Sequence, residues 1–317
     1  MEELIKVINY KKDTDISQIF NCTDSTPGYG KKLWLRITSL EDKAFLMDIA
    51  ERFGVHSLLI DDAINQGHQA KFEQYDNYSM VILKCIHETD GELDTSQFSM
   101  IFGKDFLITF EHEENRDISS YTENPSKLKN SIERVIYDLI DRIFDSYLAY
   151  ASKYQDKTDE MEDFILEHAE TYKLSELFDF KQEMHFFRRI VRPARELTDM
   201  LLRPKANIFN DGMYPYLKDL SDHASRVVNM ADNIEETLIS LHSIVLTQLQ
   251  YKLAKTMNLM TAVSVIFLPL MVITGIYGMN FEHMPELPLK YAYPVVLGFM
   301  TLIGVGMFTF FIKRKLI

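Results

Sequence analysis

Apolar and polar positions follow three different rhythms along this chain, and the slowest of them is at its end. Met257–Tyr277 and Tyr293–Ile312 are each about 20 residues without a charged side chain, the length a helix needs to cross roughly 30 Å of hydrocarbon. The residues that follow the first stretch, Gly278-Met279-Asn280-Phe281-Glu282-His283-Met284-Pro285-Glu286-Leu287, are too few to form a domain. The pattern therefore predicts a helical hairpin through a lipid bilayer; helices buried in a soluble core usually run shorter and keep a polar edge. Lys252 and Lys255 precede the first span, and Lys313, Arg314 and Lys315 follow the second, whereas the loop sets Lys290 against Glu282 and Glu286. Basic flanks stay on the cytoplasmic side. The expected protein is thus multi-pass in the cell (inner) membrane, with both termini inside and the loop outside. Met1-Glu2-Glu3 is acidic and no apolar run follows, so no signal peptide is expected and everything before residue 250 is assigned to the cytoplasm.

The first 120 residues have a faster rhythm. Short apolar, β-branched and aromatic runs predict strands at Leu4–Tyr10, Leu33–Thr38, Ser79–Ile86, Phe98–Phe102 and Phe106–Phe110. Gly103-Lys104-Asp105 joins the last two as a short antiparallel connection. Between Thr38 and Tyr75 the pattern turns helical: Glu41–Phe53 carries Phe45, Leu46, Ile49 and Phe53 on one helical face, and Ser57–Asn65 is a second helical stretch. An α/β domain with a mostly antiparallel edge results.

From Pro125 onward glycine and proline almost vanish. Ser126–Arg192 contains neither and predicts two antiparallel helices turning near Ala169–Leu174. After Pro193, Pro204, Gly212 and Pro215, the run from Tyr216 to Leu268 is again uninterrupted, on the order of 80 Å as one helix. A single helix is expected to leave the cytoplasmic part and enter the bilayer unbroken, a rod that couples motion at its base to its membrane end. The fold class is an α+β cytoplasmic domain followed by long helices and a C-terminal two-helix transmembrane hairpin. The expected divisions are an N-terminal α/β domain over 1–122, a helical hairpin region over 123–215, a stalk helix continuing into the first span over 216–277, a loop over 278–292, the second span over 293–312 and a basic tail over 313–317.

Charge separates the parts further. The formal net charge is −13, yet only two of the 47 acidic residues lie beyond residue 250, against six of the 34 basic ones. The preceding part holds 45 acidic and 28 basic residues, a balance of −17, which repels nucleic acid and attracts cations; solubility alone accounts for the same balance in many acidic domains. Cys22 and Cys85 read as free thiols in a reducing compartment. Nine histidines (His56, His68, His87, His112, His168, His185, His223, His242 and His283) have neither metal-ligand nor triad spacing, and no enzyme or organic cofactor is expected. Thr26-Pro27-Gly28-Tyr29-Gly30-Lys31-Lys32 lacks the Walker A spacing and the hydroxyl residue after lysine, so it reads as a turn.

Within the first span Met257, Met260, Ser264, Leu268 and Met271 recur at spacings of three and four and share one stripe. Such a stripe serves helix packing as readily as it lines a pore. Neither span holds an ionisable residue of the kind that proton-relay transporters use. A passive pore or a simple anchor remains. At the outer end, copies of a neutral Asn280 amide arranged in a ring would hydrogen-bond the water shell that Mg²⁺ holds tightly, without stripping it. Glu282 and Glu286 would enrich cations nearby. Gly278 and Asn280 are also residues that commonly cap a helix.

Tyr277-Gly278-Met279-Asn280, its Met284-Pro285-Glu286-Leu287 continuation, the basic tail and the acidic α/β domain resemble the CorA family of magnesium channels. Leu59-Ile60-Asp61-Asp62-Ala63-Ile64-Asn65 and Tyr216-Leu217-Lys218-Asp219-Leu220-Ser221-Asp222-His223 are similar to family segments too. The resemblance implies a funnel-shaped homopentamer whose first membrane helices line the pore. It implies a selectivity filter of Gly278, Met279 and Asn280, passage of Mg²⁺ and Co²⁺, and Ni²⁺ by the same hydrate chemistry. It further implies a regulatory Mg²⁺ held between subunits by Asp62, with Asp61 beside it, and Asp219. The chain departs from the family at Ala254, where an asparagine is common and Asn258 stands one turn on, and at Met271 in place of a threonine. A zinc-transporting member of the same family, or a non-conducting membrane-anchored scaffold or sensor, stays open as the alternative.

Overall fold

The computed structural model describes residues 5–10, 32–89, 92–112, 118, 121, 131–169, 171–203, 209–280 and 284–314. Cys22, the glycines at 28 and 30, Glu282, His283 and Lys315 lie outside them. Six strands make one mixed sheet: β1 (Lys6–Tyr10), β2 (Leu33–Ile37), β3 (Lys71–Gln74), β4 (Ser79–Thr89), β5 (Glu92–Phe102) and β6 (Phe106–Glu111), in the spatial order β1-β2-β6-β5-β4-β3. β1, β2 and β6 run parallel, with Leu35 opposite both Ile8 and Ile108. The remaining pairings are antiparallel, and β5 turns into β6 at Gly103-Lys104-Asp105, where the Gly103 N–H bonds the Phe106 carbonyl at 3.0 Å. β6 is buried at every residue and β4 over its first five, so both read as continuous apolar runs rather than as alternation.

Three differences from the expected strands have a common cause. β4 runs on to Thr89, β5 begins at Glu92, and β3 is a strand that the apolar pattern does not mark. Each extra segment is mostly polar and buried only in part; backbone pairing to a neighbouring strand, more than burial of an apolar face, holds it in the sheet.

Helices cover one face. α1 (Lys43–Phe53) starts at Asp42, whose Oδ1 accepts the Phe45 N–H at 3.0 Å, and ends at Gly54. Gly54 has φ +64°, a conformation in which a Cβ is strained. α2 (Ser57–Ile64) follows at once. Phe45, Leu46, Ile49, Leu59, Ile60 and Ala63 from these helices join Leu35, Ile37, Ile82, Ile101, Ile108 and Phe110 from the sheet in one buried cluster.

The other face carries an ion pair. Arg36 on β2 bonds Glu111 at the end of β6 through two parallel contacts, Nε to Oε1 at 2.5 Å and Nη2 to Oε2 at 2.6 Å. Both side chains are almost wholly enclosed. Beside them the Trp34 indole N–H donates to Thr109 Oγ1 at 3.1 Å, and Trp34 meets the Tyr121 ring edge-on. A bidentate pair satisfies a buried guanidinium that would be costly alone.

The chain divides into two compact units, Met1–Asp163 with Ser175–Ile239 and Phe164–Leu174 with Ser240–Ile317. In the first, α3 (Ile132–His168) lies against the sheet. The Tyr147 hydroxyl donates to the Lys84 carbonyl, and Lys153 pairs with Glu88 at 2.8 Å. α4 (Leu174–Leu201) passes through Pro193. The sequence marks Pro193 as a break, but proline inside a helix removes one hydrogen bond and bends the axis without ending it when packing holds both sides; Ile190, Val191, Ala194 and Leu197 around it are buried. Asp211–Met213 forms a short 3₁₀ turn that leads into α5 (Tyr214–Tyr277), 64 residues in one helix, about 96 Å long. Pro215 is its second residue, where no N–H is needed. In the first unit α5 is clamped on two sides. Arg192 and Arg188 of α4 reach Asp232 at 3.0 and 2.9 Å, and Arg188 also reaches Glu235. α3 contributes Tyr137 and Asp141, which meet Asp219 and His223. The last helix, α6 (Ala292–Lys313), carries Pro294 in its first turn.

The Arg36–Glu111 pair sets a stability test. Arg36→Met strands a buried carboxylate and is expected to cost about 3–5 kcal/mol, lowering the thermal unfolding midpoint of the detergent-purified protein by several degrees. Arg36→Met with Glu111→Leu removes both charges and recovers most of that loss. A double variant no more stable than the single one would deny the pair its place as a matched buried couple.

Candidate functional site

In the second unit α5 and α6 pack through one stripe each. On α6 the partly covered positions are Ala292, Val296, Met300, Ile303, Gly304, Met307 and Phe311; on α5 they are Ala262, Ile266, Pro269, Leu270 and Ile273. Gly304 is where the helices approach: a Cβ there would stand 3.8 Å from Leu270 Cδ1. Met257, Met260, Ser264, Leu268 and Met271 lie on the opposite side of α5, since a residue turns the helix by about 100°. The four apolar members are 65 to 69% exposed, while Ala262 on the far side is 1% exposed. The stripe therefore takes no part in the hairpin's own packing. It continues through Gly275 and Gly278 at the same spacing of three and four.

At its C-terminal end α5 stops at Tyr277 and the backbone leaves the helix through Gly278, Met279 and Asn280, all exposed. The Gly278 N–H still bonds the Thr274 carbonyl at 2.9 Å, and Met279 bonds Ile276 at 3.2 Å. Among the described glycines only Gly54 has a positive φ, so Gly278 is not a left-handed cap. Its constraint is space: a Cβ at Gly278 would lie 3.1 Å from the Thr274 carbonyl oxygen. Glu286 lines a cavity of about 550 Å³ together with Thr274, Tyr277, Gly278, Lys290 and Tyr293. Glu282 lies outside the described residues.

The carboxylates of the first unit fall into two groups. Asp62, near the end of α2, is held by Lys71, whose Nζ stands 2.6 Å from Oδ2, and His68 Nε2 lies 3.4 Å from Oδ1. Asp61 beside it is exposed. Asp219 on α5 accepts the Tyr137 hydroxyl at 2.9 Å. Burial, and then this bond, raise the Tyr137 phenol well above its ordinary value. Within one chain Asp62 and Asp219 thus have separate partners.

Near Asp219 stands a group that the sequence pattern did not single out. One ligand atom each of Asp141, Asp145 and His223 lie within 4.8 Å of one another, the one such group among the described residues. His223 Nδ1 is 3.1 Å from Asp141 Oδ1, and its Nε2 is 3.9 Å from Asp219. Burial and the neighbouring Asp145 raise the Asp141 carboxyl above its ordinary value, against the opposing pull of His223. The signal was present in the spacing: Tyr137, Asp141 and Asp145 repeat every four residues on α3, and Asp219 and His223 do so on α5. Asp156, Asp159 and Glu162, further along α3, form no such group; Asp159 accepts a bond from Gln155 at 2.7 Å.

The chain matches the family model described as CorA-like Mg²⁺ transporter protein over residues 30–314. It belongs to the CorA family. It is 30% identical to the cobalt/magnesium transport protein CorA of Thermotoga maritima, over 98% of this chain and 92% of that one. It is 26% identical to the magnesium transport protein CorA of Campylobacter jejuni (strain NCTC 11168) over 67% of this chain and 66% of that one. Among solved structures, the complete CorA magnesium transporter of Methanocaldococcus jannaschii superposes with a TM-score of 0.77 at 20% identity, covering 90% of each chain. The ZntB cytoplasmic domain of Vibrio parahaemolyticus superposes with 0.59 at 12% identity, over 69% of this chain and 88% of that one. The α+β domain, the long helices and the C-terminal apolar pair are thus the family's fold, and α5 and α6 are long and apolar enough to cross a membrane.

The CorA-type hairpin yields a packing test. Gly304→Ala places a methyl group at ordinary contact distance and should leave the melting temperature of the purified protein unchanged. Gly304→Leu must overpack Leu270, at about 1–3 kcal/mol, and lower it. Equal melting of the two variants would mean that α5 and α6 do not meet at this point.

Proposed function

We propose that this protein is a passive channel for hydrated Mg²⁺ that also accepts Co²⁺ and Ni²⁺, working as a homopentamer in the cell membrane with both termini cytoplasmic. The observation that carries the reading is the exposed stripe of α5. It is uncharged from Met257 to Gly278, turned away from α6, and leads to Asn280. Five such stripes facing one another would line a path of apolar and small polar groups, with Gly278, Met279 and Asn280 as a ring at its outer mouth. Family membership supports the pentamer, and the names of the Thermotoga and Campylobacter relatives support the ions.

Chemistry favours an intact hydrate. Mg²⁺ holds its waters tightly and prefers octahedral oxygen, and those waters are donors. The Ser264 hydroxyl gives its proton to the Met260 carbonyl at 3.0 Å, which leaves oxygen lone pairs as what it can offer the lumen. The Asn280 amide carbonyl is an acceptor too. An acceptor-lined, uncharged path recognises the waters and lets the ion leave. The driving force is the membrane potential, roughly 2.3 kcal/mol per charge per 100 mV and about twice that for a divalent ion.

Protein reconstituted in liposomes is expected to take up Mg²⁺ in proportion to the imposed potential, without ATP. Cobalt hexaammine, an inert mimic of the hexahydrate, should block that uptake, and Asn280→Ala should reduce it at least tenfold. Zn²⁺ uptake indifferent to the mimic would transfer the assignment to zinc transport by direct ligation. A protein that binds Mg²⁺ but conducts nothing would be a sensor or scaffold.

Gating belongs to the same proposal. Asp62 of one subunit and Asp219 of the next, with Asp61 beside the first, would share a bridging divalent cation that holds the closed state. Falling internal Mg²⁺ would then release the subunits, and α5 would carry the motion to Met260 and Leu268. Protection of the purified protein from protease should rise with millimolar Mg²⁺ and disappear in Asp62→Lys and Asp219→Lys. Undiminished protection in both variants would move the sensor to Asp141, Asp145 and His223.

A further inference from the structure

Asp62 sits in the last turn of α2, where the helix dipole disfavours an anion and a cation is wanted. Its backbone cannot shift freely. Gln97 Nε2 donates to the Asp62 and Ala63 carbonyls at 2.9 and 3.1 Å, and Ser99 Oγ donates to the Ala63 carbonyl at 3.2 Å. The carboxylate is therefore presented at a fixed place, and the chain itself already meets both its oxygens. Lys71 Nζ lies 2.6 Å from Oδ2, and His68 Nε2, a buried atom without a hydrogen bond, lies 3.4 Å from Oδ1. Lys71 has a second acceptor in Glu73, whose Oε1 stands 2.9 Å from Nζ while Oε2 takes the Tyr75 hydroxyl at 3.0 Å. One ammonium thus spans two carboxylates, of which only Asp62 is assigned to the bridging cation.

We propose that Lys71 is a tethered competitor at Asp62 that sets the Mg²⁺ concentration at which the bridge between subunits forms. When the divalent ion is scarce, the ammonium occupies Oδ2. When the ion arrives, Lys71 withdraws to Glu73, which holds it without a change in side-chain charge. Filling the site is then an exchange of a fixed single charge for a double one. A monovalent cation has no electrostatic advantage over the lysine it must displace, whereas a divalent cation has twice the charge. Lys71 accordingly lowers apparent affinity and makes the site answer to divalent ions in a medium rich in monovalent ones. This inference rests on the assignment of Asp62 as a regulatory ligand.

Partly exposed ion pairs of this type favour the paired state by about 1.5- to fivefold. Removal of the competitor should therefore lower the half-saturating Mg²⁺ concentration by about two- to sixfold by mass action. The test is Mg²⁺-dependent protection of the full-length protein in detergent, with chymotrypsin as protease because it does not cut at lysine. Lys71→Met and Lys71→Gln should both shift the midpoint down, and Lys71→Arg should keep it near that of the unaltered protein. Asp62→Asn should raise the midpoint, and Lys71→Met added to Asp62→Asn should move it no further. Should Asp62→Asn raise the midpoint while both neutral Lys71 variants leave it in place, the competitor is overturned and the regulatory site stands. Should Asp62→Asn itself have no effect, the assignment of Asp62 falls, and the role of Lys71 falls with it. A shift from Lys71→Met that persists undiminished in the Asp62→Asn background would show an effect of general surface charge and would also overturn the proposal.

Discussion

Hydrocarbon offers no partner to a backbone N–H or carbonyl, so a chain that crosses it must satisfy its own backbone along the way. That requirement governs the C-terminal part of this molecule. α5 meets it by extending one hydrogen-bond ladder from the packed α+β unit into the apolar span without a loop between them. The hydroxyls obey the same rule: Thr256, Ser264 and Thr274 on α5 and Thr301 and Thr309 on α6 each donate to a carbonyl three or four residues back. Pro269 is the exception, since it withholds one N–H from the ladder. It stands on the covered side of α5, toward α6 rather than on the exposed stripe.

In the proposed coupling the unbroken ladder would link the base of α5 to its far end. In the first unit the helix is gripped by charged partners on α4 and by Tyr137 and Asp141 on α3, and its buried face runs through Leu220, Ala224, Val227, Ala231, Ile234 and Leu238. Beyond Val245 that burial gives way to exposure. Within the chain, the helix is thus anchored over its first half and supported in its second by one stripe against α6.

The large elements were legible because each imposes a period on the sequence. Two charge-free runs of helical length, a stretch free of Gly and Pro through α3 and as far as Arg192 of α4, and the apolar runs of β4 and β6 all reflect burial or lipid contact that composition records. β3 was not legible, since Lys71, Phe72, Glu73 and Gln74 pair by backbone and are only partly covered. Nor was the Arg36–Glu111 couple, in which two charges occupy the positions of core residues. Pro193 misled for a local reason: a proline's meaning depends on packing that propensity does not contain. At the candidate site, the stripe of Met257, Met260, Ser264, Leu268 and Met271 was visible as a spacing. Its freedom from α6 was not, because a spacing names a face but not what covers it. Asp141 and Asp145 gained significance only when folding brought His223 beside them.

The pairing of the two proposed regulatory carboxylates changes how their electrostatics should be understood. Two bare aspartates a few Å apart repel, and with the −17 balance of the part before residue 250 repulsion alone would be enough to open the proposed assembly. Yet Asp62 and Asp219 are not alike. Lys71 brings a full positive charge to the first, whereas Tyr137 gives the second only a neutral hydroxyl, its phenol raised far from ionisation. Asp219 has Asp141 and Asp145 nearby, with His223 between them. Both sides of such an interface would carry net negative charge, with Asp61 and Glu73 near the first carboxylate and Asp141 and Asp145 near the second. In the proposed bridge a cation would be stabilised by Asp219 and would displace the ammonium from Asp62. Loss of the ion then returns Asp62 to Lys71 rather than leaving two bare charges, so on this reading the closed state ends because its bridge is withdrawn, with repulsion a smaller contribution.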